Sequence, residues 1–487
     1  MGDHRIVIVD IGSNTVRLVV FDAPARLPVP ILNERVVCSL GKGLGETGKL
    51  NPKGAALAMK TLGRFMLLTR EMRVEKFVFV ATAAIREAKD GKKFVENVEK
   101  KFGHTVKVLS GTDEARLGAM GVFGGLPPSQ GISADLGGGS LDVISLKKGA
   151  FGESCSLPLG HIRISEDSNG NTKTAEHIIR KNLKSELWLA TARNTPLYVI
   201  GGAWRSIARL YIEQTRYPLH VIDNFTIETA EALNFTGLLA GLSTQSLMKD
   251  GSVASQRADT LSFAALVLNN LIQVSQPKKI IFSGYGLREG LFHELLSEEM
   301  RDKDALISAC EGFANRSGRF SIYGEEIAFW LASLFVGETK NFYRILHAGA
   351  LLSDIGWTEH PDYRAIHSFI RVLRLPIAGI SHRQRIMLAL IVYARYNGKQ
   401  KQYEVQQVRD LLEKKDQHEA YKVGLALRFA HLISGGVPRV LSGIYLKVAD
   451  EKLVLIIEDN NKDLLSKSLE DVFYNLCNTL GLVGKIS

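Results

Sequence analysis

Apolar positions form short β-branched runs through roughly the first 300 residues and longer stretches of helical spacing after them. Near the start, residues 6–9 and 16–21 are two such runs, separated by Asp10-Ile-Gly-Ser-Asn14, which predicts a hairpin. Residues 131–146 repeat the arrangement: a run ends in Asp135, Leu-Gly-Gly-Gly-Ser140 makes a turn, and a run resumes. Asp10 and Asp135 lie 125 positions apart, as do Gly12 and Gly137. That spacing predicts an internal duplication, two similar lobes each opening with a hairpin whose turn faces the other lobe. Residues 76–82, 198–200 and 280–282 read as further strands, and each leads into a helical segment. The last two do so through Gly201-Gly202-Ala203 and Ser283-Gly-Tyr-Gly286, turns that bring a helix N-terminus close to an anion. No GxGxxG follows the first strand, so a Rossmann enzyme is not expected.

From about residue 303 the texture becomes helical: residues 327–335, 343–355, 365–375, 382–396, 403–412 and 421–434 carry apolar periodicity. Residues 444–448, 453–457 and 464–480 then read strand, strand, helix. The expected fold is α/β, with lobe I at residues 1–125 and lobe II at 126–302. A mainly helical domain follows at 303–440, and a small α+β segment closes the chain at 441–487.

A chain of 487 residues with 45% hydrophobic and 23% charged positions has material for several cores and is not disordered. Four cysteines with no CxxC pair or Cys/His cluster exclude a disulfide framework and give no zinc signature, which fits a reducing, cytoplasmic setting. No membrane span is expected, since the longest apolar stretch, residues 386–394, covers less than half a bilayer. The net charge of +10 has one concentrated source. Residues 363–403 hold Arg364, Arg371, Arg374, Arg383, Arg385, Arg395, Lys399 and Lys401 and no acid. Such a run attracts a polyanion, and reads equally as a solvated helix face or an interface. Nearby aromatics form no stacking platform, so nucleic acid is not the expected partner.

Six segments occur in order: Asp10-Ile-Gly-Ser-Asn14, Ala83-Ala-Ile-Arg86-Glu-Ala, Ser110-Gly-Thr-Asp-Glu114-Ala-Arg116, Asp135-Leu-Gly-Gly-Gly-Ser140, Leu157-Pro-Leu-Gly160 and Ser283-Gly-Tyr-Gly-Leu-Arg-Glu-Gly290. As a set they resemble the exopolyphosphatase / guanosine pentaphosphate phosphohydrolase family, closely over about residues 1–300. The resemblance implies two ribonuclease-H-like lobes of the actin–hexokinase–Hsp70 superfamily. Beyond residue 300 the chain is similar to the long members, whose C-terminal half is related to HD phosphohydrolases; those members also imply a homodimer.

Phosphoanhydride hydrolysis needs donors around the phosphoryl oxygens, a divalent ion and a base for water. Gly12, Ser13 and Asn14 from one lobe and Gly137, Gly138, Gly139 and Ser140 from the other are the expected donors. Asp10 and Asp135, each ending a strand, suit Mg²⁺ directly or through water. The sequence alone does not choose between Asp113 and Glu114 as the base, because a helix N-terminus favours either; the resemblance selects Glu114. It also makes Arg86 a phosphate ligand and Asp142 a third metal contact.

Three positions depart from the family pattern. Asp142 stands where many members have Glu, Ala203 where many have Thr or Ser, and Ser353 where the HD signature has His. Serine is a poor transition-metal ligand, so no catalytic metal is expected beside Asp354, and His347 and His360 are expected to be structural. The implied function is Mg²⁺-dependent, processive removal of terminal phosphate from inorganic polyphosphate, with potassium a candidate activator. Arg364, Arg371, Arg374, Arg383 and Arg385 would hold the rest of the polymer. Guanosine pentaphosphate is the alternative substrate, phosphotransfer to ADP another, and a non-catalytic polyphosphate-binding regulator the alternative of another class.

Overall fold

The structure is a computed structural model that describes residues 4–487 apart from 24, 28, 126–129, 148–149, 244, 247–254, 321–322 and 400. The expected lobe boundary at 125/126 therefore abuts residues outside the description. Contacts divide the chain into two units, one ending at Asp302 and one running Lys303–Ser487.

The first unit holds two sheets. In the first, β1 (His4–Ile11), β2 (Thr15–Ala23), β3 (Pro30–Val37), β4 (Val74–Ala81) and β5 (Val106–Val108) lie in the order β3-β2-β1-β4-β5. β1 pairs antiparallel with β2 and parallel with β4. β1 is covered on both faces, which is why it reads as an unbroken apolar run. Val7, Val9 and Ile11 pack toward the helices Pro52–Arg70 and Gly91–Phe102. Ile8 packs the other way, with Leu117, Leu291 and Phe292.

The second sheet contains β6 (Gly131–Leu136), β7 (Leu141–Lys147), β8 (Ala150–Leu157), β9 (Pro196–Ile200), β10 (Phe225–Glu228) and β11 (Lys279–Phe282), in the order β10-β11-β9-β6-β7-β8. Its antiparallel β6–β7–β8 meander and parallel β6–β9 and β9–β11 pairs reproduce the first sheet's connectivity, with β10 added at the edge. This is the ribonuclease-H-like arrangement, present twice. The register matches as well: Asp10 lies opposite Arg17, and Asp135 opposite Asp142.

Two helices lie between the sheets. Gly111–Gly125 sends Leu117 to the first sheet and Ala115, Ala119 and Val122 to Ile144, Tyr198 and Ile200 of the second. Leu287–Glu294 follows β11 of the second sheet, yet packs Leu291 and Phe292 against Ile8 and Phe21 of the first. The two helices touch backbone to backbone: a Cβ on Gly290 would fall 1.8 Å from the Leu117 carbonyl oxygen. Only glycine permits that approach.

The second unit is mostly helical, including Ala305–Ser317, Tyr323–Ala332, Lys340–Leu352, Arg364–Arg374, His382–Arg395, Tyr403–Arg409 and Lys414–Ser434. A sheet of β12 (Ile444–Ala449), β13 (Lys452–Ile457) and β14 (Val483–Ile486) carries the helix Lys467–Leu480. The sequence pattern missed β14, whose four residues Val-Gly-Lys-Ile are too few to show alternation. Among the described residues no helix is long and apolar enough to cross a membrane.

Candidate active site

The turns of the two hairpins face one cavity of about 350 Å³ in the first unit. Each is closed by the same bond: Gly12 N–H donates to Thr15 O at 2.9 Å, and Gly137 N–H to Ser140 O at 3.0 Å. These two N–H groups are consumed, so Gly12 and Gly137 shape the turns and are not the backbone donors the sequence suggested. The carbonyls of Gly137 and Gly138 accept from the N–H groups of His161, Ile162 and Arg163, which open the next helix. That docking requires Gly160, where a Cβ would lie 2.3–2.4 Å from backbone atoms of Gly138 and Gly139. With the carbonyls tied down, the N–H groups of Gly138 and Gly139 meet no acceptor among the described residues, and the same holds for Ser13 and Asn14. Ser13 Oγ accepts from Ala84 N–H at 3.2 Å, which fixes the first turn against the strand-to-helix turn after β4.

Four carboxylates line the cavity: Asp10, Glu114, Asp135 and Asp142. Asp10 Oδ2 accepts from Arg288 Nη1 at 2.8 Å. Asp142 takes the Ser140 hydroxyl at 2.8 Å on one oxygen and the Ser156 hydroxyl at 2.5 Å on the other. Glu114 stands on the first turn of Gly111–Gly125 and accepts from Arg86 Nη1 at 2.5 Å. Asp113 does not line the cavity and is bound by the Ser110 hydroxyl at 2.7 Å. Glu114 thus lines the cavity, and its neighbour does not. Arg86 also donates to Leu109 O at 2.7 Å from the same Nη1, and it is not among the residues that line the cavity.

Burial and neighbouring negative charge push Glu114, Asp135 and Asp142 upward. Glu114 rises to about 8, through burial first and the Asp142 charge second, with Arg86 opposing. Asp135 rises to about 7 from burial and Asp142. Asp142 rises to about 6 from burial, against the lowering effect of its two serine hydroxyls. Acids repelling one another around a shared cavity are the donor chemistry that a hard cation satisfies. No group of three or more acid, His or Cys side chains converges on one point among the described residues. Of the hard cations, Mg²⁺ binds one or two carboxylates and keeps several waters, so it does not need a cage made of protein ligands alone.

Sequence reasoning missed the cavity's cations. Arg17, Arg35, Arg205, Arg209 and Arg288 line it as well. Arg17 had a signal: it sits seven residues after Asp10, as Asp142 does after Asp135, so the duplicated position carries opposite charge in the two lobes. Ser156, which holds Asp142, had none, because it arrives from β8 through tertiary packing.

The basic run of the second unit is corrected by the structure. Arg385 is 1% exposed and donates to the carbonyls of Leu375 and Ile377 at 2.5 and 2.9 Å. Arg371 is bound by Ile355 O and Ser317 Oγ, and Arg364 by Glu359 O and Trp357 O. Arg383 clamps the buried Asp416 with two bonds of 2.5 Å. Of the five, Arg374 is exposed with no partner among the described residues. In this stretch without acids, Arg364, Arg371 and Arg385 donate to backbone carbonyls and Arg383 to Asp416, which leaves Arg374 as the one of the five without a partner among the described residues. The second unit has its own cavity of about 280 Å³ beside Ser353 and Asp354. There Ser353 Oγ lies 2.7 Å from His431 Nε2, and Asp354 is held by Arg319 and Arg395.

Comparison with known proteins matches residues 19–299 to the Ppx/GppA phosphatase family and residues 306–483 to a family described as exopolyphosphatase, C-terminal. Exopolyphosphatase 1 of Mycobacterium tuberculosis is 27% identical, covering 63% of this chain and 92% of its own. Retrograde regulation protein 2 of Saccharomyces cerevisiae is 25% identical over 85% of this chain and 77% of its own. A solved Ppx/GppA family member of Aquifex aeolicus shares the fold, with a TM-score of 0.52 at 24% identity, over 60% of this chain and 97% of its own. An exopolyphosphatase from Cytophaga hutchinsonii has a TM-score of 0.55 at 21% identity, over the same shares.

Proposed function

The chain belongs to the Ppx/GppA phosphatase family, hydrolases of phosphoanhydride bonds, and from that premise we propose that it is an exopolyphosphatase. The observation that carries the proposal is Glu114, held by Arg86 at the edge of a cavity that both hairpin turns face. The terminal phosphoryl group sits between the turns. Its oxygens take the N–H groups of Ser13, Asn14, Gly138 and Gly139. Glu114 accepts a proton from the attacking water, and Arg86 keeps the carboxylate aimed and opposes the rise that burial imposes on it. Asp135, Asp10 and Asp142 would hold Mg²⁺ between them partly through water, since the three do not converge on one point among the described residues. When bound, that ion supplies positive charge that neutralises phosphoryl oxygens and returns the crowded acids to their ionised forms. Asp10 is held by Arg288 at 2.8 Å.

The test is product analysis in isotopically labelled water, with Mg²⁺ and long-chain polyphosphate. Hydrolysis puts one labelled oxygen into each orthophosphate released. ATP formed when ADP is present would instead show phosphotransfer. Guanosine pentaphosphate run in competition ranks the two substrates. Tight polyphosphate binding with no turnover would overturn the enzyme reading in favour of a regulator.

A further inference from the structure

A row of three residues, one from each strand of a meander, recurs in the two sheets. In the first sheet the register sets Asp10 of β1 opposite Arg17 of β2, and Arg17 opposite Arg35 of β3. In the second it sets Asp135 of β6 opposite Asp142 of β7, and Asp142 opposite Ser156 of β8. Directly opposed side chains share a face, with Cβ atoms about 4.5–5.5 Å apart. The first row puts an acid beside a cation. The second puts two carboxylates side by side, which their repulsion disfavours.

Two hydroxyls answer that repulsion. Ser140, from the glycine turn, donates to Asp142 Oδ2 at 2.8 Å, and Ser156, the third member of the row, to Oδ1 at 2.5 Å. Each oxygen of Asp142 therefore holds a donor, and the donors come from different elements, which fixes the position and the rotation of the carboxylate. Ser140 is 5% exposed and spends its hydroxyl here, so that hydroxyl is not an open phosphate donor. Ser156 is exposed and lies on an edge strand, yet it directs its hydroxyl at an acid that is 4% exposed. It also packs on Gly111, where a Cβ would fall 2.3 Å from the Ser156 Cβ. Gly111 opens the helix that carries Glu114, so position 156 takes a small side chain with a donor.

We propose that Ser156, together with Ser140, is a positioning residue for Mg²⁺ binding: the two hydroxyls hold Asp142 beside Asp135 against their mutual repulsion, as a preformed pair of carboxylates. The proposal rests on the reading of Asp10, Asp135 and Asp142 as the acids that hold the ion. Ser156 acts through Asp142. Its effect belongs in affinity, because a carboxylate left free to swing away has to be ordered when the ion binds.

The test is titration calorimetry of Mg²⁺ into full-length, substrate-free protein, for wild type, Ser156→Ala, Asp142→Asn and the two changes combined. The exposed position 156 tolerates alanine, and a thermal midpoint checks that each variant is folded. Ser156→Ala should weaken Mg²⁺ binding about tenfold, and Asp142→Asn at least as much. The combined variant should bind no more weakly than Asp142→Asn alone, since Ser156 works through that carboxylate. Ser156→Thr keeps the hydroxyl and should bind as the wild type does. In turnover of polyphosphate, the loss in Ser156→Ala should sit in the Mg²⁺ concentration that gives half the maximal rate, and not in kcat at saturating Mg²⁺. Wild-type Mg²⁺ affinity in Ser156→Ala overturns the positioning role and leaves the metal reading standing. So does a loss that adds in full to that of Asp142→Asn, or one that Ser156→Thr shares. Unchanged affinity in Asp142→Asn overturns both.

Discussion

Glu114 and Arg86 make the residue-scale argument. Arg86 lowers the proton affinity of an acid that burial and Asp142 raise. Replacing Arg86 with Ala therefore lifts the Glu114 pKa further, and the acid limb of the pH–rate profile should move to higher pH, with Arg86→Lys moving it less. A limb that stays put would show that another group titrates. The same crowding has a stability consequence. A carboxylic acid whose folded pKa lies above its unfolded value of about 4 stabilises the fold while protonated and loses that contribution as pH rises through the folded value. For Glu114 at about 8 and Asp135 at about 7, the metal-free chain should lose thermal stability from about pH 4, where the unfolded carboxyls ionise, up to about pH 8, and level off above it. Calorimetry in chelator checks this, and Glu114→Gln should flatten the decline. Of these residues the sequence marked Glu114, Asp10, Asp135 and Asp142 through their motifs. It could not show that Gly12 and Gly137 spend their N–H groups on their own turns, because that depends on backbone geometry.

At the scale of elements, the site depends on two helices crossing between the sheets. Gly111–Gly125 carries Glu114, and Leu287–Glu294 carries Arg288. Their contact at Gly290 and Leu117 fixes the spacing of the two helices and so of the side chains they carry. Gly290→Ala would drive a methyl group into the Leu117 carbonyl. It should cost about 1–3 kcal/mol of stability, read from a denaturant midpoint, and lower kcat beyond what the lost fold accounts for. Normal stability and rate would mean that the helices separate freely. The hairpins were legible in the sequence because a glycine turn between two apolar runs is a local signal. The helix pair was not, because each helix follows a strand of one lobe and packs on the sheet of the other, which local periodicity does not encode. The duplication was legible for the same local reason, and both sheets carry it in their connectivity and register.

At the scale of the molecule, charge is where sequence and structure part. A net charge of +10 with one acid-free basic stretch pointed to the second unit. Folding ties Arg364, Arg371 and Arg385 to carbonyls and Arg383 to Asp416. In the first unit, Arg17, Arg35, Arg205 and Arg209 line the cleft without an ion-pair partner among the described residues, at positions no sequence window gathers. Neutralising Arg383 should therefore destabilise its own unit, by leaving the buried Asp416 unpaired, without changing the salt dependence of polyphosphate binding. A lost salt dependence would return the polymer to the second unit.

All of this depends on Glu114 serving as the base in a cleft that binds phosphate chains. Orthophosphate release from long-chain polyphosphate by wild type and Glu114→Gln, with Mg²⁺ and with binding measured on the same samples, tests it most directly. Release by the wild type should fall by about 10²–10⁴-fold in the variant while affinity is kept. Release that survives in Glu114→Gln at the wild-type rate would mean that water is activated elsewhere.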